Sequence, residues 1–100
     1  MKATAILTIQ EVRNALDLEN DSIQDGEAQE LSQRVSDFIF RRTGKNWGQS
    51  SSLAKICAEF VAIDMYYRSA DHQKTIDMYL ADLIDIAHEE KGEEQDGTTR

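Results

Sequence analysis

Residues 53–68, LAKICAEFVAIDMYYR, are the most apolar stretch of the chain and set the terms for everything else. Placed on a helix at about 100° per residue, Leu53, Ile56, Cys57, Phe60, Val61, Ile63 and Tyr67 cover one wide arc. Ala54, Ala58 and Met65 widen it, and only Lys55, Glu59, Ala62 and Tyr66 leave a narrow strip for water. A helix apolar around most of its circumference has to be covered on several sides. This one is too short and too interrupted by charge to span a bilayer, which takes about 20 apolar residues. It therefore reads as the central helix of an all-α domain: a small bundle of four helices packed around a buried third helix.

The flanking sequence supplies the other three. Residues 1–7 read as an extended lead-in. At Thr8 a helix start is well marked: Thr8 as N-cap, Glu11 completing a capping box, and Leu7 with Val12 as the hydrophobic staple. Ile9, Val12 and Leu16 then share one face of a short helix ending near Asp17. The polar stretch LENDSIQD (18–25) offers Leu18 and Ile23 as anchors into the core. A second helix is predicted from Asp25 or Gly26 to Thr43, with Ala28, Leu31, Val35, Phe38 and Ile39 at helical spacing. Arg41 and Arg42 suit its negative C-terminal end, and Gly44 is the natural residue just past it. Ser51 or Ser52 caps the central helix. A last amphipathic helix spans about Gln73 to Lys91 and presents Ile76, Tyr79, Leu80, Leu83, Ile84 and Ala87. Gly92 is expected to stop it, which makes residues 1–92 one helical domain and residues 93–100 a flexible acidic tail.

Composition narrows the function classes. The chain has no proline, and its five glycines fall between or after the periodic stretches, as punctuation between helices does. A formal charge of −8 in 100 residues is a poor basis for gripping phosphates, because nucleic-acid affinity rests largely on Lys and Arg. A single cysteine rules out an internal disulfide framework and fits a reducing compartment. No signal-peptide pattern or membrane-spanning stretch is visible.

Five features could carry chemistry or recognition. Asp64 falls inside the apolar arc, where an unpaired carboxylate is costly. Arg68 lies one turn later, so an Asp64–Arg68 ion pair is expected, with Arg41 or Arg42 as a further cation. Cys57 reads as core filler among apolar neighbours. His72 and His88 are scattered, and one thiol with two such imidazoles falls short of the four ligands of structural zinc. No metal or other cofactor is expected. Neither a nucleophile elbow nor a glycine-rich phosphate loop is present, so the chain does not read as an enzyme. Trp47, in the loop GKNWGQSSS, either tucks over the core or anchors a partner, and with Lys45 and Asn46 it is the candidate protein-contact site.

The order of these features resembles a known family. The opening LTIQEVRNALDL, the helix ending FIFRRTGKNW, the apolar helix ending MYYR and the closing amphipathic helix together resemble the small head–tail connector (head-completion adaptor) proteins of long-tailed bacteriophages and their prophage relatives. The likeness runs over about residues 6–90. The chain departs from it in the short, proline-free link between Trp47 and the central helix. The resemblance implies a non-catalytic virion protein of the head–tail junction, put together in the bacterial host cytoplasm. It implies a ring of identical copies beneath the portal protein, extending the DNA exit channel and presenting a surface to the next neck or tail protein. DNA would pass through without specific binding, and an acidic ring would repel the phosphate backbone and let the genome slide.

Three other readings compete. The chain could be an acidic helical adaptor or regulatory module that binds one protein partner. Asp21–Ser22–Ile23 ahead of an amphipathic helix is similar to the acyl carrier proteins, where a serine in that place carries phosphopantetheine. A helix-turn-helix DNA binder is also conceivable in a compact helical chain, although a basic recognition face is lacking.

Overall fold

The capping box at Thr8 is where the chain turns from extended to helical. The Glu11 backbone N–H donates to Thr8 Oγ1 (3.1 Å), and the Thr8 N–H donates to Glu11 Oε1 (2.9 Å). Leu7 and Val12, the staple pair, are both buried. The computed structural model describes residues 3–16 and 23–99, with side chains up to Glu90 in the last helix. Leu18 and Ser22 lie outside the described residues. Four helices follow in order: α1 (Ile9–Leu16), α2 (Asp25–Thr43), α3 (Ser52–Tyr67) and α4 (Gln73–Thr99). The all-α four-helix bundle is thus the observed fold.

Each helix end has a local cause. Gly44 closes α2 in the left-handed conformation (φ 76°), donating its N–H to the Phe40 carbonyl at 2.7 Å. Glycine adopts this conformation without the Cβ penalty. Ser51 caps α3, its hydroxyl accepting from the Ala54 N–H at 3.1 Å. α4 runs on through Gly92, where the sequence reading ends it. A lone glycine costs a helix only about 1 kcal/mol, and the Glu, Lys and Gln residues around it in the sequence favour the helix.

α2 and α3 each touch all three other helices, whereas the described residues of α1 and α4 do not touch one another. The core is therefore a central α2–α3 pair with α1 and α4 as separate neighbours. The buried face of α3 is not the arc of its largest side chains. It is centred on Ala54, Cys57, Ala58, Val61 and Ala62, all almost fully buried. Ala62, assigned to the water strip above, is wholly enclosed, while Ile56 and Tyr67 are 40% and 51% exposed. Small side chains let helix axes approach to about 8 Å. The bulky residues then sit at the margins of the contact, and the buried face is turned roughly a quarter turn from the one that hydrophobicity alone picks out.

The extended lead-in is strapped to α2. Ile6 N–H donates to Ser36 Oγ (3.0 Å), Ser32 Oγ donates to the Leu7 carbonyl (2.6 Å), and Ala3 N–H donates to Asp37 Oδ1 (3.0 Å). Gln33 Nε2 donates to the Ala3 carbonyl at 2.9 Å. Polar side chains of a helix thus pair backbone groups that would otherwise be buried without partners. Ala3, Ile6 and Leu7 can then join the core, where a fully buried large aliphatic side chain contributes about 1.5–3 kcal/mol.

Candidate functional site

Two side-chain clusters gather the polar and aromatic residues singled out above. The first lies where α3 ends. Asp64 is buried on the last turn of α3, and its carboxylate accepts three hydrogen bonds. These come from Ser69 Oγ (2.9 Å), the His72 backbone N–H (3.2 Å) and His72 Nδ1 (2.8 Å). The expected partner, Arg68, is not among them. Arg68 instead closes the helix in the left-handed conformation (φ 53°, ψ 45°), its N–H donating to the Asp64 carbonyl, and its side chain is exposed. That backbone twist takes residue 68 off the i, i+4 row on which the ion pair depends. It brings Ser69 and His72 beneath the carboxylate in its place.

Burial by itself raises the Asp64 pKa. The hydrogen bonds from His72 Nδ1, Ser69 and the His72 N–H outweigh it and hold the carboxyl below its ordinary value. The geometry places a proton on His72 Nδ1, facing the carboxylate. The His72 ring lies 5.2 Å from Phe60, which stacks at 6.0 Å on Tyr79 of α4. Asp64 thereby ties the end of α3 to the start of α4.

Serine, histidine and aspartate meet here, but in the wrong order for acyl transfer. A serine nucleophile needs the imidazole between its hydroxyl and the carboxylate. Ser69 and His72 both donate to Asp64, so the hydroxyl is not activated. The cluster holds two helices; it does not make a nucleophile.

The second cluster is the Trp47 loop. The Trp47 ring is 7% exposed and belongs to the core, so of the two alternatives it tucks inward. Its Nε1 donates to Thr43 Oγ1 at 2.9 Å, and Lys45 Nζ sits 4.5 Å from the ring centroid. Lys45 also pairs with Glu90 of α4. Asn46 is exposed, yet both ends of its amide engage Thr4: Oδ1 accepts from the Thr4 N–H (2.8 Å) and Nδ2 donates to Thr4 Oγ1 (2.9 Å). The Lys45–Asn46–Trp47 trio therefore clasps the lead-in, α2 and α4 together, with Trp47 inside and Asn46 at the surface.

A carboxylate shared between two tasks links α1 to α3. Glu11 accepts from Lys55 Nζ at 2.7 and 2.8 Å besides completing its capping box. The Lys55 bond first, and the Thr8 N–H second, lower its pKa. Cys57 is wholly buried, and burial pushes its thiol up to about 12, which removes the thiolate a nucleophile needs. Among the described residues, no three His, Cys, Asp or Glu side chains converge as metal ligands. Among the same residues no helix is long and apolar enough to cross a membrane.

Two shallow grooves lie along the α2–α3 seam. One, of about 290 Å³, is lined by Ile23, Leu31, Met65 and Tyr66 together with two glutamates, Glu27 and Glu30, and two arginines, Arg34 and Arg68. Met65 also lines a neighbouring groove of about 190 Å³ with Phe38, Asp64, Ser69, Gln73 and Ile76. Sequence reasoning missed His72 as the partner of Asp64, and it missed the Ser32–Ser36 strap. The second had a visible signal: two hydroxyls at i, i+4 among the apolar residues of α2. No family model, no curated protein and no solved structure matches this chain.

Proposed function

We propose that the chain is a structural adaptor of a bacteriophage head–tail junction. In this reading identical copies close into a ring beneath the portal protein, lengthen the DNA exit channel and offer a surface to the next neck or tail protein. One observation carries most of the weight. The segments that bear the sequence likeness are the joints of the fold: the Thr8–Glu11 box, the Gly44 turn with Trp47 folded over it, and the Tyr67–Arg68 close of α3. They set the angles between helices, which a rigid ring subunit has to hold constant. The net charge of −8 suits a channel through which DNA slides. Nothing in either polar cluster favours catalysis over bracing.

Class-averaged negative-stain electron microscopy of the purified protein, alone and with isolated portal rings, tests the reading. Closed rings with a hole wide enough for duplex DNA, free or seated on the portal, are expected. Absence of rings in both preparations overturns it. The open Leu31–Met65 groove favours a second reading, a helical module that binds one protein partner. A discrete one-to-one complex with no ring is its signature.

A further inference from the structure

Five large apolar side chains of α3 are only partly covered by the fold. Leu53, Ile56, Phe60, Ile63 and Tyr67 follow one another at spacings of 3, 4, 3 and 4 residues. They lie within about 80° of one another around the helix and over about 21 Å of its length. This is the spacing of the contact stripe of a two-helix coiled coil. None of the five is fully buried, and Ile56 and Tyr67 are the most open of them. The cause is the placing of the other helices. α1 flanks the stripe on one side, through Glu11 on Lys55 and the Leu16 carbonyl on the Tyr67 hydroxyl (3.1 Å). α4 flanks it on the other, through Tyr79 stacked on Phe60. The described residues of α1 and α4 do not touch one another, and Met65, on the far side of α3, meets Leu31 and Phe38 of α2. The stripe is therefore the floor of an open slot between α1 and α4.

We infer that this stripe is the contact face of a two-fold dimer in which α3 of one chain lies antiparallel on α3 of a second copy. The order of side-chain sizes picks that occupant. Phe60 and Tyr67 hold one heptad position, and Ile56 and Ile63 hold the other. An antiparallel pair sets one position against the other, so Phe60 meets the second copy's Ile63, and Tyr67 meets its Ile56. Large then faces smaller in both layers, and each contact is made twice by the two-fold axis. A parallel pair would instead set Phe60 on Phe60 and Tyr67 on Tyr67. Charge agrees with the choice. Two chains of net charge −8 repel, so a contact between copies needs a stripe free of charge, and none of the five residues is charged. Lys55, at the margin, is neutralised by Glu11. Glu59, exposed at the other margin, stands about 7.5 Å along the axis from its counterpart in the antiparallel register. The dimer goes beyond the adaptor reading and does not depend on it, because a two-fold contact closes on itself and builds no ring.

The test is sedimentation velocity on the full-length protein up to about 1 mM, the weak end of specific association. A monomer–dimer equilibrium is expected, and added salt should tighten it by screening the repulsion between two acidic chains. Ile56→Asp removes an apolar contact from each copy and places a carboxylate in each, so it should weaken the dimer at least about tenfold. Met78→Asp is the control: Met78 is 64% exposed on α4, outside the stripe, and its replacement should leave association unchanged. Circular dichroism verifies that both variants are folded. A nitroxide on Ser52→Cys, which is exposed, reads the orientation by pulsed electron resonance. The two labels should lie about 30 Å apart in the antiparallel dimer, against about 10 Å between the backbones of a parallel one. A wild type that stays monomeric throughout overturns the inference and leaves the slot to a different protein. Equal losses in I56D and M78D, or the short label distance, overturn it as well.

Discussion

Replacing Asp64 with alanine tests how the end of α3 is held. The carboxylate accepts from Ser69 Oγ, the His72 N–H and His72 Nδ1 in a partly buried cluster. At about 1 kcal/mol net for each bond, more where the acceptor is charged, and with donors left unpaired, the cost is about 2–4 kcal/mol. That is a large share of the roughly 5–15 kcal/mol that holds a domain together, and it corresponds to a fall in Tm on the order of 10–25 °C. Urea unfolding followed by circular dichroism measures it, with an unchanged m-value as the sign of an unaltered unfolding reaction. The loss is pH-dependent. Because the folded pKa of Asp64 is lowered, its contribution is complete above the ordinary carboxylate value of about 3.9 and disappears as pH falls through the still lower folded value. Wild-type and D64A stabilities should therefore converge in acid. A double-mutant cycle assigns the partner: Asp64 and His72 should couple by about 1 kcal/mol, and R68A should change stability by no more than about 0.5 kcal/mol. If R68A costs as much as H72A, and the Asp64–His72 coupling is zero, the account of this joint is wrong.

Three further outcomes follow from particular residues. Arg68→Gly should raise stability by about 0.5–1 kcal/mol in urea unfolding, since glycine relieves the left-handed strain at φ 53°; a loss would mean that the Arg68 side chain holds something in place. Ser36→Ala removes the acceptor of the buried Ile6 N–H and should cost about 1–3 kcal/mol, with amide exchange at Ile6 accelerating first. A change confined to α1, or no change, would argue against the strap. Cys57 should resist a thiol-specific disulfide reagent in the native protein and react fully in denaturant. Rapid native labelling would show that α3 opens far more readily than its packing implies.

Much of the fold was legible because it is locally encoded. The Thr8–Glu11 box, the Gly44 turn and the Ser51 cap act over three or four residues, and each stands where sequence places it. What went astray depends on the third dimension. Helical periodicity identified α3 as central, but volume decided which of its faces is buried, and a hydrophobicity arc does not weigh alanine as a contact residue. The Asp64–Arg68 pairing assumed that the helix continues through residue 68, whereas Arg68 leaves the helical row at that point. The Trp47 loop looked exposed because its sequence is polar and flanked by glycine and serine. Its polarity is spent on Thr4, Thr43 and Glu90, residues far from it in the chain or across a turn. Gly92 is a stop signal taken by itself, but the helix formers around it carry α4 through.

The alanines and the cysteine along the buried side of α3 also make the chain's tolerance of change lopsided. At Ala54, Ala58 and Ala62 nothing can be trimmed except to glycine, and any gain of volume drives two backbones apart. Overpacking of that kind typically costs about 1–3 kcal/mol. Within one chain, Ile56, a large side chain beside them, is partly exposed and freer to vary, whereas the half-exposed Tyr67 still donates its hydroxyl to the Leu16 carbonyl of α1. Among diverged copies of this chain, packing within the monomer would let an isoleucine that a hydropathy plot ranks high drift, and three of the plainest residues would be the ones that stay.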